Sequence, residues 1–133
     1  MLYEKNQTEH LSRELFQNPS CEYRGTPFWA WNGRLDRERL TEQIRVFQKM
    51  GLGGFHMHVR TGMDSPYLEE EFMDSIRHCI GQAQEMDMLA WLYDEDRWPS
   101  GTAGGRVTAG RPEYARKSLL FTTKPEEESP SPR

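Results

Sequence analysis

Met88-Leu89-Ala90-Trp91-Leu92-Tyr93-Asp94-Glu95-Asp96 is a run of six largely apolar residues that stops on three consecutive carboxylates. It is too short for a buried helix and apolar at both parities, which is the pattern of a parallel strand covered on both faces. The carboxylates then mark the strand's C-terminal end. In parallel α/β architectures that end carries the ligand site.

Upstream of this strand, Leu68, Phe72, Ile76, Ile80 and Ala83 form a helical stripe. Glu69, Glu70 and Glu71 precede it, where negative charge complements the helix dipole. Further back, Leu52-Gly53-Gly54-Phe55-His56-Met57-His58-Val59 has the length and flanking glycines of a second strand, with two histidines on one face. Before it, Asp36 is placed to cap a helix carrying Leu40, Ile44 and Phe47 and closed by Gly51. Phe28-Trp29-Ala30-Trp31, bounded by Gly25-Thr26-Pro27 and Asn32-Gly33, predicts the first strand. A further short helix is expected over Thr8 to Phe16, in a lead-in spanning residues 1–27. The order βαβαβ, with 27 residues from Trp31 to His58 and 36 from His58 to Asp94, predicts an α/β fold of repeated units. A doubly wound nucleotide binder needs a glycine-rich turn after its first strand, and Trp31-Asn32-Gly33-Arg34-Leu35 is not that turn. The expectation is therefore a partial (β/α)8 TIM barrel, about its first three βα units, over residues 28–121. Residues 122–133, rich in Pro, Glu and Ser, are expected to be a disordered tail.

Composition narrows the partners. The chain has 133 residues, a net charge of −4 and a mean hydropathy of −0.88. No basic cluster is present to displace counterions from phosphates, which argues against nucleic acid. No stretch approaches the ~20 apolar residues that span a bilayer, and the start of the chain lacks a signal-peptide core, so a soluble cytoplasmic protein is expected. Cys21 and Cys79 lack metal-type spacing and are expected as free thiols.

Polar candidates gather at the strand ends: Asn32 after the first, His56, His58 and Arg60 along and after the second, and Asp94, Glu95 and Asp96 after the third. The following loop, Arg97-Trp98-Pro99-Ser100-Gly101-Thr102-Ala103-Gly104-Gly105-Arg106, joins an indole to three glycines. An indole suits the C–H face of a sugar, and the loop lacks the Gly-Lys-Ser/Thr ending of a phosphate loop. His56 and His58 could hold a divalent metal, the basis of an alternative as a metal-dependent barrel hydrolase, but no third ligand with a clear motif accompanies them. No metal or other cofactor is therefore assigned. A strand pair Asp94/Asp96 would be about 6.5–7 Å apart, within the range of an inverting carboxylate pair. Barrels recruit their catalytic groups from several strands, which favours a binding role for these carboxylates.

Pro27-Phe28-Trp29-Ala30-Trp31-Asn32-Gly33, Gly51-Leu52-Gly53-Gly54-Phe55 and, most specifically, the segment from Leu92 to Gly105 resemble the start of the catalytic barrel in glycoside hydrolase family 106, known for α-L-rhamnosidases. The likeness covers about residues 15–120. It implies a (β/α)8 barrel that hydrolyses a glycosidic bond in plant-type or bacterial polysaccharide, and it makes a carbohydrate the expected partner. Trp31, Asn32, His56, His58, Arg60, Asp94, Glu95 and Trp98 are the expected sugar contacts, with Asp94 and Glu95 the candidates for catalysis; Trp29 and Trp31 are equally expected as filling of the barrel interior. Proteins of that family are many times longer, so the principal catalytic carboxylates are expected from later strands and little turnover is expected of this chain alone. A second alternative is a non-catalytic carbohydrate-binding or interaction remnant. An open barrel segment is also expected to self-associate through exposed strand edges.

Overall fold

The computed structural model describes residues 9–97, 101, 103–119 and 121. Helix α1 (Arg13–Gln17) leads to strand β1 (Phe28–Trp31), helix α2 (Arg37–Lys49), strand β2 (Gly54–Val59), helix α3 (Glu70–Glu85) and strand β3 (Leu89–Asp96). The three strands form one parallel sheet in the order β1-β2-β3. Two βα crossovers joining parallel neighbours make this a mixed α/β unit. The tail 122–133 lies outside the described residues. No helix among the described residues is long and apolar enough to cross a membrane.

Local chemistry accounts for the helix limits. The Asp36 side chain accepts from the Arg39 amide at 3.0 Å, satisfying one of the free N–H groups at the start of α2. After Met50 the backbone turns left-handed at Gly51, φ 78°, which terminates the helix. The N-terminal helix is shorter and later than its periodicity predicts, because the Ser12 side chain caps it by accepting from Leu15 N at 3.2 Å. Phe16 within it and Leu11 before it are exposed.

One face of the sheet packs on the helices. Trp29 and Trp31 of β1 and Phe55, Met57 and Val59 of β2 lie there with Ile44 of α2 and Phe72, Ile76, Cys79 and Ala83 of α3. The Trp29 indole N–H donates to Gln43 Oε1 at 2.8 Å, and its ring meets Phe47 edge-on at 5.4 Å, fixing α2 against β1. Thr41 Oγ1 and His78 Nε2, 2.8 Å apart, tie α2 to α3.

The inward stripe of α3 departs from expectation. Phe72, Ser75, Ile76, Cys79 and Ala83 are its buried positions, whereas Leu68 and Ile80 are exposed. Leu68 precedes the helix with φ 63° and so cannot continue the stripe. Small Ser75, Cys79 and Ala83 let the helix approach the sheet, which turns Ile80 to the flank. Both cysteines are free thiols. The third strand also differs, because it continues through the carboxylates to Asp96 and leaves Leu92 exposed. It is one of the two outer strands of the sheet, and the helices do not cover it fully.

Candidate functional site

Parity and register assign the two faces. Phe28 pairs with His56, Ala30 with His58 and Trp31 with Val59, while His56 pairs with Trp91. Paired residues of a parallel sheet point the same way, so Phe28, His56, His58, Trp91 and Tyr93 share the face away from the helices. Ring contacts agree: His56 stacks on Trp91 at 4.7 Å and 11°, and Phe28 meets Tyr93 edge-on at 5.2 Å.

Trp31, expected as a sugar contact, is corrected by the same register. It lies on the helix side, 3% exposed, with its ring 5.9 Å from that of Phe72. Apolar Val59 beside it fixes this direction, since that parity of β2 is the one the helices bury. Trp31 is thus a core residue rather than part of the open face.

His58 sits at the centre of the open face and is 1% exposed. The rings of Phe28 at 4.2 Å and Tyr93 at 4.4 Å cover it. Neither ring nitrogen finds a hydrogen-bond partner among the described residues. Burial lowers its pKa below the ordinary histidine value; the Arg60 guanidinium lowers it further, and the Glu95 carboxylate opposes both. The imidazole is therefore held neutral, with unused donor and acceptor capacity.

The polar candidates follow the C-terminal ends of the three strands, and of them Arg60 and Glu95 act electrostatically on His58. Asn32 and Arg60 are exposed at the exits of β1 and β2, and the Arg60 amide donates to Trp31 O at 2.9 Å, joining the two exits. At β3 the register slips: Met57 pairs with Leu92 and Val59 with Asp96, so the single residue His58 lies opposite Tyr93, Asp94 and Glu95. Such a bulge re-aims side chains that simple alternation would place. Asp94 is exposed and Glu95 half-buried. Asp96 is buried, its carboxylate held by Arg97 through Nη2 at 2.7 Å and Nε at 3.0 Å. An inverting pair formed by Asp94 and Asp96 on one strand face is thus not realised: one carboxylate is open, and the other is neutralised and buried.

Two carboxylates with an exposed guanidinium and amide nearby can accept and donate hydrogen bonds to vicinal hydroxyls, and Phe28 and Tyr93 supply apolar ring surface. Among the described residues no group of three or more His, Cys, Asp or Glu side chains is placed to hold a metal ion. The expected indole contact, Trp98, lies outside the described residues. Sequence reasoning missed Tyr67, whose hydroxyl donates to Asp94 O at 3.1 Å from the loop before α3. A tyrosine in the turn Ser65-Pro66-Tyr67 carries no periodic signal that would single it out.

Neither a family model nor a curated protein matches the chain. Among solved structures, a rhamnosidase from Novosphingobium sp. PP1Y is similar in fold, with a TM-score of 0.56 at 19% sequence identity. The match covers 65% of this chain and 9% of the rhamnosidase chain.

Proposed function

We propose that this chain forms the opening βα units of a glycoside hydrolase-like (β/α)8 barrel, and that the C-terminal end of its sheet binds a sugar of the deoxyhexose type. The observation that supports this is that Asn32, Arg60, Asp94 and Glu95 stand at the C-terminal ends of three neighbouring parallel strands, on a sheet whose face away from the helices is aromatic. The fold likeness to a rhamnosidase supports the choice of sugar, as does the sequence resemblance from Leu92 to Gly105.

Glycosidic cleavage needs two carboxyl groups flanking one bond, about 5–9.5 Å apart. Asp94 and Glu95 are adjacent on one bulge of one strand, whereas a hydrolytic pair flanks the bond from two sides, so their proposed role is to bind hydroxyls. The second carboxyl group of a hydrolytic pair would come from another strand. The outer edges of β1 and β3 have no strand partner among the described residues, and we further propose that the chain associates through them.

Equilibrium binding of methyl α-L-rhamnoside tests the reading. Loss of one charge-assisted hydrogen bond is worth about 1.5–3 kcal/mol, so Asp94→Ala should weaken binding by roughly ten- to a hundredfold. Turnover of an aryl rhamnoside by the chain should be negligible. Robust turnover abolished by Asp94→Asn would contradict the binding-only role, and a chain that takes up no glycoside would contradict the carbohydrate assignment.

A further inference from the structure

We propose that Tyr67 is the positioning residue of this site, its hydroxyl pinning the β3 bulge so that Asp94 and Glu95 are presented at the sheet's end. The inference deepens the carbohydrate reading above and rests on it. Opposite the bulge, β2 contributes only His58 to three residues of β3, so regular ladder pairing cannot satisfy every backbone group there. The Asp94 carbonyl is the group that Tyr67 takes up, at 3.1 Å. An unsatisfied carbonyl would leave the bulge free to slide back toward regular pairing, which would turn Asp94 and Glu95 to other sides of the strand.

Tyr67 is itself fixed from three directions. Its ring packs on Phe72 of α3, with centroids 5.2 Å apart. Its carbonyl accepts from Arg106 Nη2 at 3.3 Å, and Arg106 also pairs with Glu69. Gly104 lies between the Tyr67 ring and the Asp96 carboxylate: a Cβ at that position would come within 3.3 Å of the ring and 3.2 Å of Asp96 Oδ2, and its φ of 68° also favours glycine. Gly104 and Arg106 thus lie against Tyr67, whose hydroxyl reaches the bulge. Burial, with the carboxylates of Asp96, Asp94 and Glu95, keeps that hydroxyl protonated and hence a donor.

The test is Tyr67→Phe, which keeps the ring on Phe72 and removes only the hydroxyl, with Tyr114→Phe as a control outside the site. Two readouts are taken on the isotopically labelled chain by NMR: the titration midpoint of His58 and the dissociation constant for methyl α-L-rhamnoside. The groups facing His58 are Phe28 from β1, Tyr93 and Glu95 from β3, and Arg60 and His56 of its own strand. Glu95 is the group that raises the midpoint, so release of the bulge should lower it in Tyr67→Phe and leave it unchanged in Tyr114→Phe. Glycoside binding should weaken about three- to tenfold in Tyr67→Phe, the scale of one neutral hydrogen bond. An unchanged His58 midpoint together with unchanged amide shifts at Asp94, Glu95 and Asp96 would overturn the proposal. Unfolding of Tyr67→Phe would also overturn it, because the packing ring is retained. If the unsubstituted chain binds no glycoside, the carbohydrate reading fails by itself, and the His58 midpoint still decides for or against Tyr67.

Discussion

The imidazole of His58 lies 4.2 Å, centroid to centroid, from the ring of Phe28, buried and without a hydrogen-bond partner among the described residues. An apolar cover over a titratable ring makes protonation costly and links the fold to pH. The folded pKa is depressed, chiefly by burial and then by Arg60, below the unfolded value of about 6.5. Below pH 6.5 the unfolded chain therefore binds more protons than the folded one. Stability falls as pH drops through 6.5 toward the folded pKa, and the His58 contribution is constant above that window. Urea midpoints at pH 7.5 and 5.5 should differ less in His58→Phe than in the unsubstituted chain. At pH 7.5 the substitution should change stability by no more than about 1 kcal/mol, because an apolar ring replaces one whose polar atoms are unpaired.

Gly54 and Gly81 should respond oppositely to alanine. A Cβ on Gly54 would lie 2.2 Å from Leu89 O and 2.8 Å from Trp91 Cζ3, so the β2–β3 ladder must shift to admit it. Gly54→Ala should cost about 1–3 kcal/mol, the usual scale of overpacking, or more. Gly81 lies within α3 and a Cβ there meets nothing within 4 Å. Gly81→Ala should stabilise by about 0.5–1 kcal/mol through lower unfolded-state entropy. Thermal melts of the two variants check both signs.

Cys79 is buried on α3, and burial pushes its thiol pKa up to about 12. Since the thiolate is the reactive form, Cys79 should resist iodoacetamide at pH 8 in the native chain and react once guanidinium unfolds it. Half-buried Cys21 should account for all native labelling. Peptide mapping separates the two, and rapid native modification of Cys79 would show that α3 does not pack on the sheet as described.

The strands and helices were legible because their signals are periodic and redundant. In β2 the contrast of Phe55, Met57 and Val59 with His56 and His58 names the helix-facing side from sequence alone. In β1 it does not, because Phe28 is aromatic at one parity and Trp29 and Trp31 at the other. That ambiguity leaves Trp31 equally a core residue or a sugar contact in the sequence, and its pairing with Val59 assigns it to the core. The bulge was equally hidden: nothing in Tyr93-Asp94-Glu95 announces two extra residues against β2, so simple alternation paired Asp94 with Asp96. Tyr67 acts through a turn, where a hydroxyl meets a carbonyl 27 residues away, and no local pattern encodes that meeting.

Chemical-shift mapping with methyl α-L-rhamnoside decides whether the C-terminal end of the sheet takes up a sugar. Saturable changes should concentrate at the amides of Asn32, His58, Arg60, Asp94 and Glu95, at the C-terminal end of the sheet, with α2 and α3 silent. Changes confined to the helix surfaces, or none at any glycoside concentration, would contradict it.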